Sequence, residues 1–207
     1  MKENYLFSEV EMYLVTEHQK RQAIERVQQI SPAQFKAKSE DELVSEITEQ
    51  FRLDVPQICQ DKLYVAESVE TQVDVRFDPM RFVRDRSRPF YVPGFKTTIA
   101  IPFEGDPELF KVQPNQFSNM KPMAQIAGRE IRLTYEQVQP DAEAIKNAYT
   151  KTLQQISGYL ESQRSSANDF NSQLAGLVRQ KVSERKQKVA AGAAMVGSLG
   201  LLTVKPD

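Results

Sequence analysis

The chain has 207 residues, 40% hydrophobic and 27% charged, with a formal net charge of −1, enough apolar content for one core of ordinary size or two small ones. That near-neutral balance argues against a dedicated nucleic-acid binder, which carries an overall basic charge or a strong basic face. With one cysteine, Cys59, and one histidine, His18, the chain supports neither an internal disulfide framework nor a His-rich metal site.

The opening "MKENYLFSEVEMYLV" sets Glu3, Glu9 and Glu11 among its apolar residues. A signal peptide needs an uninterrupted apolar stretch, so the cytoplasm is the expected compartment. From Leu6 to Ile30 the apolar positions Leu6, Val10, Tyr13, Leu14, Ile24, Val27 and Ile30 recur at helical spacing, and a charged stretch from Glu17 to Arg26 marks a largely solvated helix over 6–30. Pro32 breaks it. Ser39 and Glu42 form an S-x-x-E capping box ahead of Leu43, Val44, Ile47 and Phe51, which predicts a second helix over 40–52.

The period then changes. Val69, Thr71, Val73, Val75 and Phe77 alternate with Glu70, Gln72, Asp74, Arg76 and Asp78, the pattern of a strand with one buried and one wet face. Phe95, Thr97, Ile99, Ile101 and Phe103 repeat it, with Pro102 predicted at an edge or where pairing stops. Ile131, Leu133 and Tyr135 do so again, and Ala127-Gly128 before them suits a hairpin turn. A small antiparallel sheet over 67–136 is expected. Eight of the eleven prolines fall between Pro56 and Pro122, so long, stiff loops join its strands.

After Pro140 the helical period returns through Ile145, Tyr149, Leu153, Ile156 and Leu160, lapses at "SQRSSAND", and resumes at Phe170, Leu174, Val178 and Val182. One long helix or two packed as a hairpin fit this pattern. Ser165, Ser166 and Asn168 are cap and turn formers and favour the helical hairpin, over 141–188. Helices, strands and helices in that order make an α+β fold, read as a single domain over 1–188 followed by an apolar tail or linker over 189–207.

No constellation for catalysis stands out. Glu104, Asp106 and Glu108 lie close together, but Gly105 and the flanking prolines make a solvated turn the simpler reading than a cation site. Cys59 has no histidine near it in sequence, and no G-x-S-x-G, P-loop or G-x-G-x-x-G occurs. The expectation is a protein without catalytic residues, metal or cofactor. The stretch "RFDPMRFVRDRSRPFY" differs. It carries Arg76, Arg81, Arg84, Arg86 and Arg88 against Asp78 and Asp85, interleaved with Phe77, Phe82, Phe90 and Tyr91. Guanidinium forks match phosphates and aromatic faces stack on bases. Arg81, Arg84, Arg86, Arg88, Phe90 and Tyr91 are therefore the candidate ligand-binding residues, for a nucleotide or single-stranded nucleic acid. The plainer reading is a solvated loop whose arginines pair with nearby acids.

Val189 to Val204 is a run of sixteen residues without formal charge. As a helix it reaches roughly 24 Å at ~1.5 Å per residue, short of the ~30 Å hydrocarbon core. The basic residues Arg179, Lys181, Arg185, Lys186 and Lys188 before it suit an anionic leaflet. They suit equally a helix C-terminus running on to pack against another domain or subunit, which is the preferred reading.

"IPFEGDPELFKVQPNQF", the helical stretch with "NDFNSQLAGLV", and "RKQKVAAGAAMVGSLGLLTVKP" together resemble a segment of certain longer prokaryotic proteins. There such a module precedes a C-terminal effector domain, sometimes a TIR-type one, in settings suggestive of antiviral defence. The resemblance implies that "SLGLLTVKP" opens a joint and that this is a non-catalytic front part with an effector as partner. It carries over no functional residues. The expected function is a non-enzymatic regulatory or interaction module that senses a ligand or mediates assembly, as a homo-oligomer or with an effector. The alternatives are a membrane-associating tail and a nucleotide or nucleic-acid site at the arginine stretch.

Overall fold

The middle of the chain forms an antiparallel sheet, as expected, but without the strict alternation of buried and wet positions. The computed structural model describes residues 4–116 and 120–199. Among these, the strands are β1 (Asn4–Tyr5), β2 (Val10–Glu11), β3 (Gln57–Ile58), β4 (Tyr64–Asp74), β5 (Tyr91–Glu104), β6 (Val112–Gln113), β7 (Met123–Ala127) and β8 (Glu130–Gln137). The helices are α1 (Met12–Gln28), α2 (Pro32–Ala37), α3 (Glu40–Phe51) and α4 (Ala142–Ser198). The fold is α+β. It divides into two compact units, one of Met1–Glu11 and Val55–Gln163, the other of Met12–Asp54 and Arg164–Asp207.

In the first unit the antiparallel order is β1-β7-β8-β5, with β3 and β4 both paired along the remaining edge of β5. The β7–β8 hairpin turns at Gly128-Arg129, where Gly128 takes φ 61°, as the first central residue of a II′ turn requires. Pro102 is the last residue of β5 in register with β8, opposite Glu130, and its carbonyl accepts the Cys59 N–H at 2.9 Å. A residue without an N–H thus stands where the ladder ends. Beyond the other end of that ladder, Gly94 lies so close to its neighbours that a Cβ there would sit 2.5 Å from the Gln137 carbonyl oxygen and 2.7 Å from Val73 Cγ2.

The wet-face expectation fails at the centre of β5, where Thr98, Ile99, Ala100 and Ile101 are all buried. Ile99 and Ile101 face the core. Ala100 is in register with Tyr64 and Arg132, and the Tyr64 hydroxyl donates across it to Glu130 at 2.5 Å. Thr98 meets Thr134 through their hydroxyls at 3.2 Å, a cross-strand pair of a common kind. β4 departs in the opposite sense: Val65 and Val69 are exposed while Val73 and Val75 are buried, and the strand ends at Asp74, so residues 75–78 of the predicted alternation lie beyond it and Phe77 is exposed.

The core of this unit joins Ile99, Ile101 and Phe103 of β5, Ile131 and Leu133 of β8, Phe7 and Phe110, and Leu153, Ile156, Tyr159 and Leu160 of α4. Phe7 stacks on Tyr159 with ring centroids 4.8 Å apart, and Phe103 meets Phe110 edge-on at 4.8 Å. Phe7 is also the one non-glycine residue at positive φ (55°) among the described residues. A bulky residue is held in the left-handed region only when its surroundings over-determine it, and full burial with a Phe7 N–H bond to the Phe110 carbonyl does so. This is why the first helix starts at Met12 rather than Leu6: residues 4–11 are bound to β7, β6 and the 107–111 turn instead.

In the second unit Ser39 and Glu42 form the predicted capping box of α3. A matching box at Ser31 and Gln34 makes Pro32 the start of α2, a position where its missing N–H costs nothing. Ala23, Val27 and Ile30, Leu43, Val44 and Ile47, and Phe170, Leu174, Val178 and Val182 supply the buried side chains. The Asn171 amide accepts from the Leu53 N–H and donates to its carbonyl, at 2.9 and 3.0 Å. Arg185 donates twice to the Ile30 carbonyl, while Arg179 and Lys186 pair with Asp41 and Glu40 in the first turn of α3. Much of the basic run before the tail is therefore engaged within the fold.

The expected hairpin over 141–188 is instead the single helix α4, which runs to Ser198 and contributes to both units. Its buried stripe passes through the lapse at "SQRSSAND" by way of Gln163 and Ala167, spaced 3, 4 and 3 residues between Leu160 and Phe170. One is polar and the other small, so the apolar pattern hides the continuity. Of the tail, residues 189–199 are exposed or half-exposed and helical to Ser198, and residues 200–207 lie outside the described ones. No helix among the described residues is long and apolar enough to cross a membrane.

Two substitutions test this packing. Gly94→Ala forces a Cβ against a backbone carbonyl that has little room to give, and a loss of roughly 1–3 kcal/mol is expected on denaturant unfolding. Gln163→Leu removes a fully buried donor to the Leu109 and Val112 carbonyls at a similar cost of about 1–3 kcal/mol. An unchanged midpoint in either would contradict the contacts described.

Candidate ligand-binding loop

The arginine-rich stretch is the long connection between β4 and β5, residues 75–90, and its base is moored by one carboxylate. Asp74 ends β4 opposite Tyr91, the first residue of β5. Its Oδ1 accepts the N–H groups of Arg76 at 3.2 Å and Phe90 at 3.1 Å, and its Oδ2 meets Arg76 Nε at 2.7 Å. Lost hydration pushes the Asp74 pKa up, but the two N–H bonds and the Arg76 guanidinium outweigh it and hold the carboxyl below its usual value. The Val75 N–H to Phe90 carbonyl bond, 2.8 Å, closes the neck beside it. Arg76 also lies 5.2 Å from the Phe77 ring centroid. Arg76 is therefore part of the mooring.

Within the loop the two other acids shape turns. Asp78 Oδ1 accepts the Met80 N–H, and its Oδ2 pairs with Arg81 Nε at 3.2 Å. Asp85 takes the Ser87 hydroxyl at 2.6 Å and its N–H at 2.9 Å, which lower its pKa in that order. Of the predicted ligand residues, Arg81 is thus half-buried and paired, whereas Arg84, Arg86 and Arg88 are exposed with no acidic partner among the described residues. Phe90 and Tyr91 are exposed at the neck. The structure adds two residues that sequence reading did not single out: Asp74, which moors the loop, and Met80, 92% exposed beside Phe82 at 95% and Phe77 at 70%. Met80 was legible as an apolar residue between arginines, and Asp74 only as one polar position in an alternating strand.

Elsewhere the candidate chemistry resolves into structure. Asp106 caps the 3-10 turn of Pro107–Lys111 by accepting the Glu108 N–H, and Glu108 pairs with Lys111 at 2.7 Å. No group of three or more His, Cys, Asp or Glu side chains that could hold a metal ion occurs among the described residues. Cys59 and His18 fall in different units. Glu130, held below its usual pKa first by the Tyr64 hydroxyl and then by Arg132, ties strands together on a sheet face. A cleft of about 330 Å³ between β5 and the first turns of α4 is lined by Phe95, Thr97, Ile99, Ile145 and Tyr149 and bordered by Lys146. No protein-family model matches the chain, and neither the curated proteins nor the solved structures compared with it include a significant match.

Asp74→Ala is expected to release the Arg76 and Phe90 N–H groups, raising their hydrogen-exchange rates on the order of tenfold while the melting temperature stays near that of the parent. Because the folded-state pKa is depressed, the mooring is complete above the ordinary carboxylate value of about 3.9 and is lost as pH falls through the lowered one. Protection at those two amides, taken relative to intrinsic exchange at the same pH, that is unchanged by both the substitution and acid would refute the role.

Proposed function

We propose that the chain is a non-enzymatic interaction module, acting in the cytoplasm, that binds a polyanionic partner through the β4–β5 loop. The observation that carries this reading is the trio Arg84, Arg86 and Arg88, exposed without a carboxylate partner among the described residues on a loop whose neck is fastened by Asp74. Five arginines against two aspartates give residues 75–91 a net charge of +3 in a chain of −1. Both aspartates also bond within the loop. Exposed guanidinium groups are fitted to bidentate contact with phosphate or sulfate oxygens. The fastened neck lowers the ordering cost of binding.

Heparin retention tests the reading, because a chain of overall charge −1 has no bulk attraction for the resin at neutral pH. The intact chain is expected to be retained and to elute with salt. The triple variant Arg84→Ala, Arg86→Ala, Arg88→Ala is expected to elute at markedly lower salt with an unchanged melting temperature. Failure of the parent to bind, or equal retention of the variant, would remove the loop from consideration.

A further inference from the structure

The polyanion reading leaves the apolar half of the loop without a role, and that half favours one kind of partner. Phe77, Met80 and Phe82 rank among the most exposed large apolar side chains in the described chain, Met80 and Phe82 nearly completely so. They share the loop with the three unpaired arginines. A folded chain with a well-filled aromatic core has no packing need to hold such side chains in water, and clustered exposure of this kind marks interaction surfaces.

We propose that this loop docks on an anionic bilayer surface, with Met80 and Phe82 entering the headgroup boundary and Arg84, Arg86 and Arg88 holding lipid phosphates. The inference rests on the polyanion reading and adds the identity of the partner. Two terms act together at such a surface, apolar burial and attraction to anionic lipid, and the loop supplies both. Single-stranded nucleic acid uses only one of them fully. Base stacking requires a ring face, which Met80 lacks, and it works best on a platform, whereas Phe82 at 95% exposure has almost no protein against either face. The 92% exposure of Met80 is explained by a fluid apolar phase and left unexplained by a phosphate backbone. The mode is peripheral, in keeping with the absence of a membrane-crossing helix among the described residues.

The test uses the full chain with vesicles of phosphatidylcholine alone and of phosphatidylcholine mixed with phosphatidylglycerol, beside a labelled thymidine oligonucleotide. Flotation with the mixed vesicles only is expected. Met80→Ser with Phe82→Ser should weaken it at least tenfold, and each arginine replaced by alanine about fivefold. The chain contains no tryptophan, so Phe82→Trp provides a single reporter, whose emission should shift to the blue on mixed vesicles and be quenched by brominated acyl chains. Vesicle binding that ignores the Met80 and Phe82 changes, with no shift at position 82, overturns insertion while the polyanion reading stands. Oligonucleotide binding without vesicle binding overturns the lipid assignment and likewise spares that reading. Binding to neither, nor to heparin, removes both.

Discussion

The side-chain amide of Gln163 donates from inside the core to the carbonyls of Leu109 and Val112, at 2.8 and 2.5 Å, and much of the first unit is arranged around that contact. It joins α4 to the 3-10 turn of Pro107–Lys111 and to β6. That turn presents Phe110 to Phe7 and Phe103, and β6 pairs in parallel with β2. The N-terminal segment is thereby drawn across the unit, with Phe7 in a backbone region that costs about 1–3 kcal/mol and persists only under such constraint. A leucine at position 163 would fit the apolar stripe of α4 better and satisfy none of this. The polar residue specifies where the neighbouring segments go, a role best served by a buried group with well-directed hydrogen bonds.

Local rules were legible wherever one signal dominated. The Ser39–Glu42 box, the hairpin after Ala127 and the end of the β5–β8 ladder at Pro102 all follow from a few adjacent residues. What stayed hidden depended on distant partners. The burial of Ala100 comes from Tyr64 and Arg132 on flanking strands, and the late start of α1 comes from pairings of residues 4–11 with segments a hundred residues away. The continuity of α4 was masked because Gln163 and Ala167 do not read as apolar positions. The Ser39 and Ser31 boxes cap helices, whereas Ser165 and Ser166 sit within α4, beside the buried Gln163 and Ala167.

The candidate site was legible in composition and not in allocation. Five arginines stood out in the sequence, but which of them remain free is decided by where three aspartates fall. Asp74 takes Arg76, Asp78 takes Arg81, and Asp85 turns to Ser87. The same allocation operates in the basic run before the tail. Arg179 and Lys186 meet acids and Arg185 a carbonyl inside the second unit.

The neck of the β4–β5 loop has a further consequence for handling the protein. Arg84 and Arg86 lie in an exposed, irregular segment, the kind of place where a trypsin-like protease first cuts. β4 and β5, one on each side of that cut, remain in register from Tyr64–Ala100 to Asp74–Tyr91, and β5 is also bound to β8. A nicked chain would therefore stay together as one particle in native buffer and separate into two bands only in detergent. Preparations that seem intact by size could in this way have lost the continuity of their working surface.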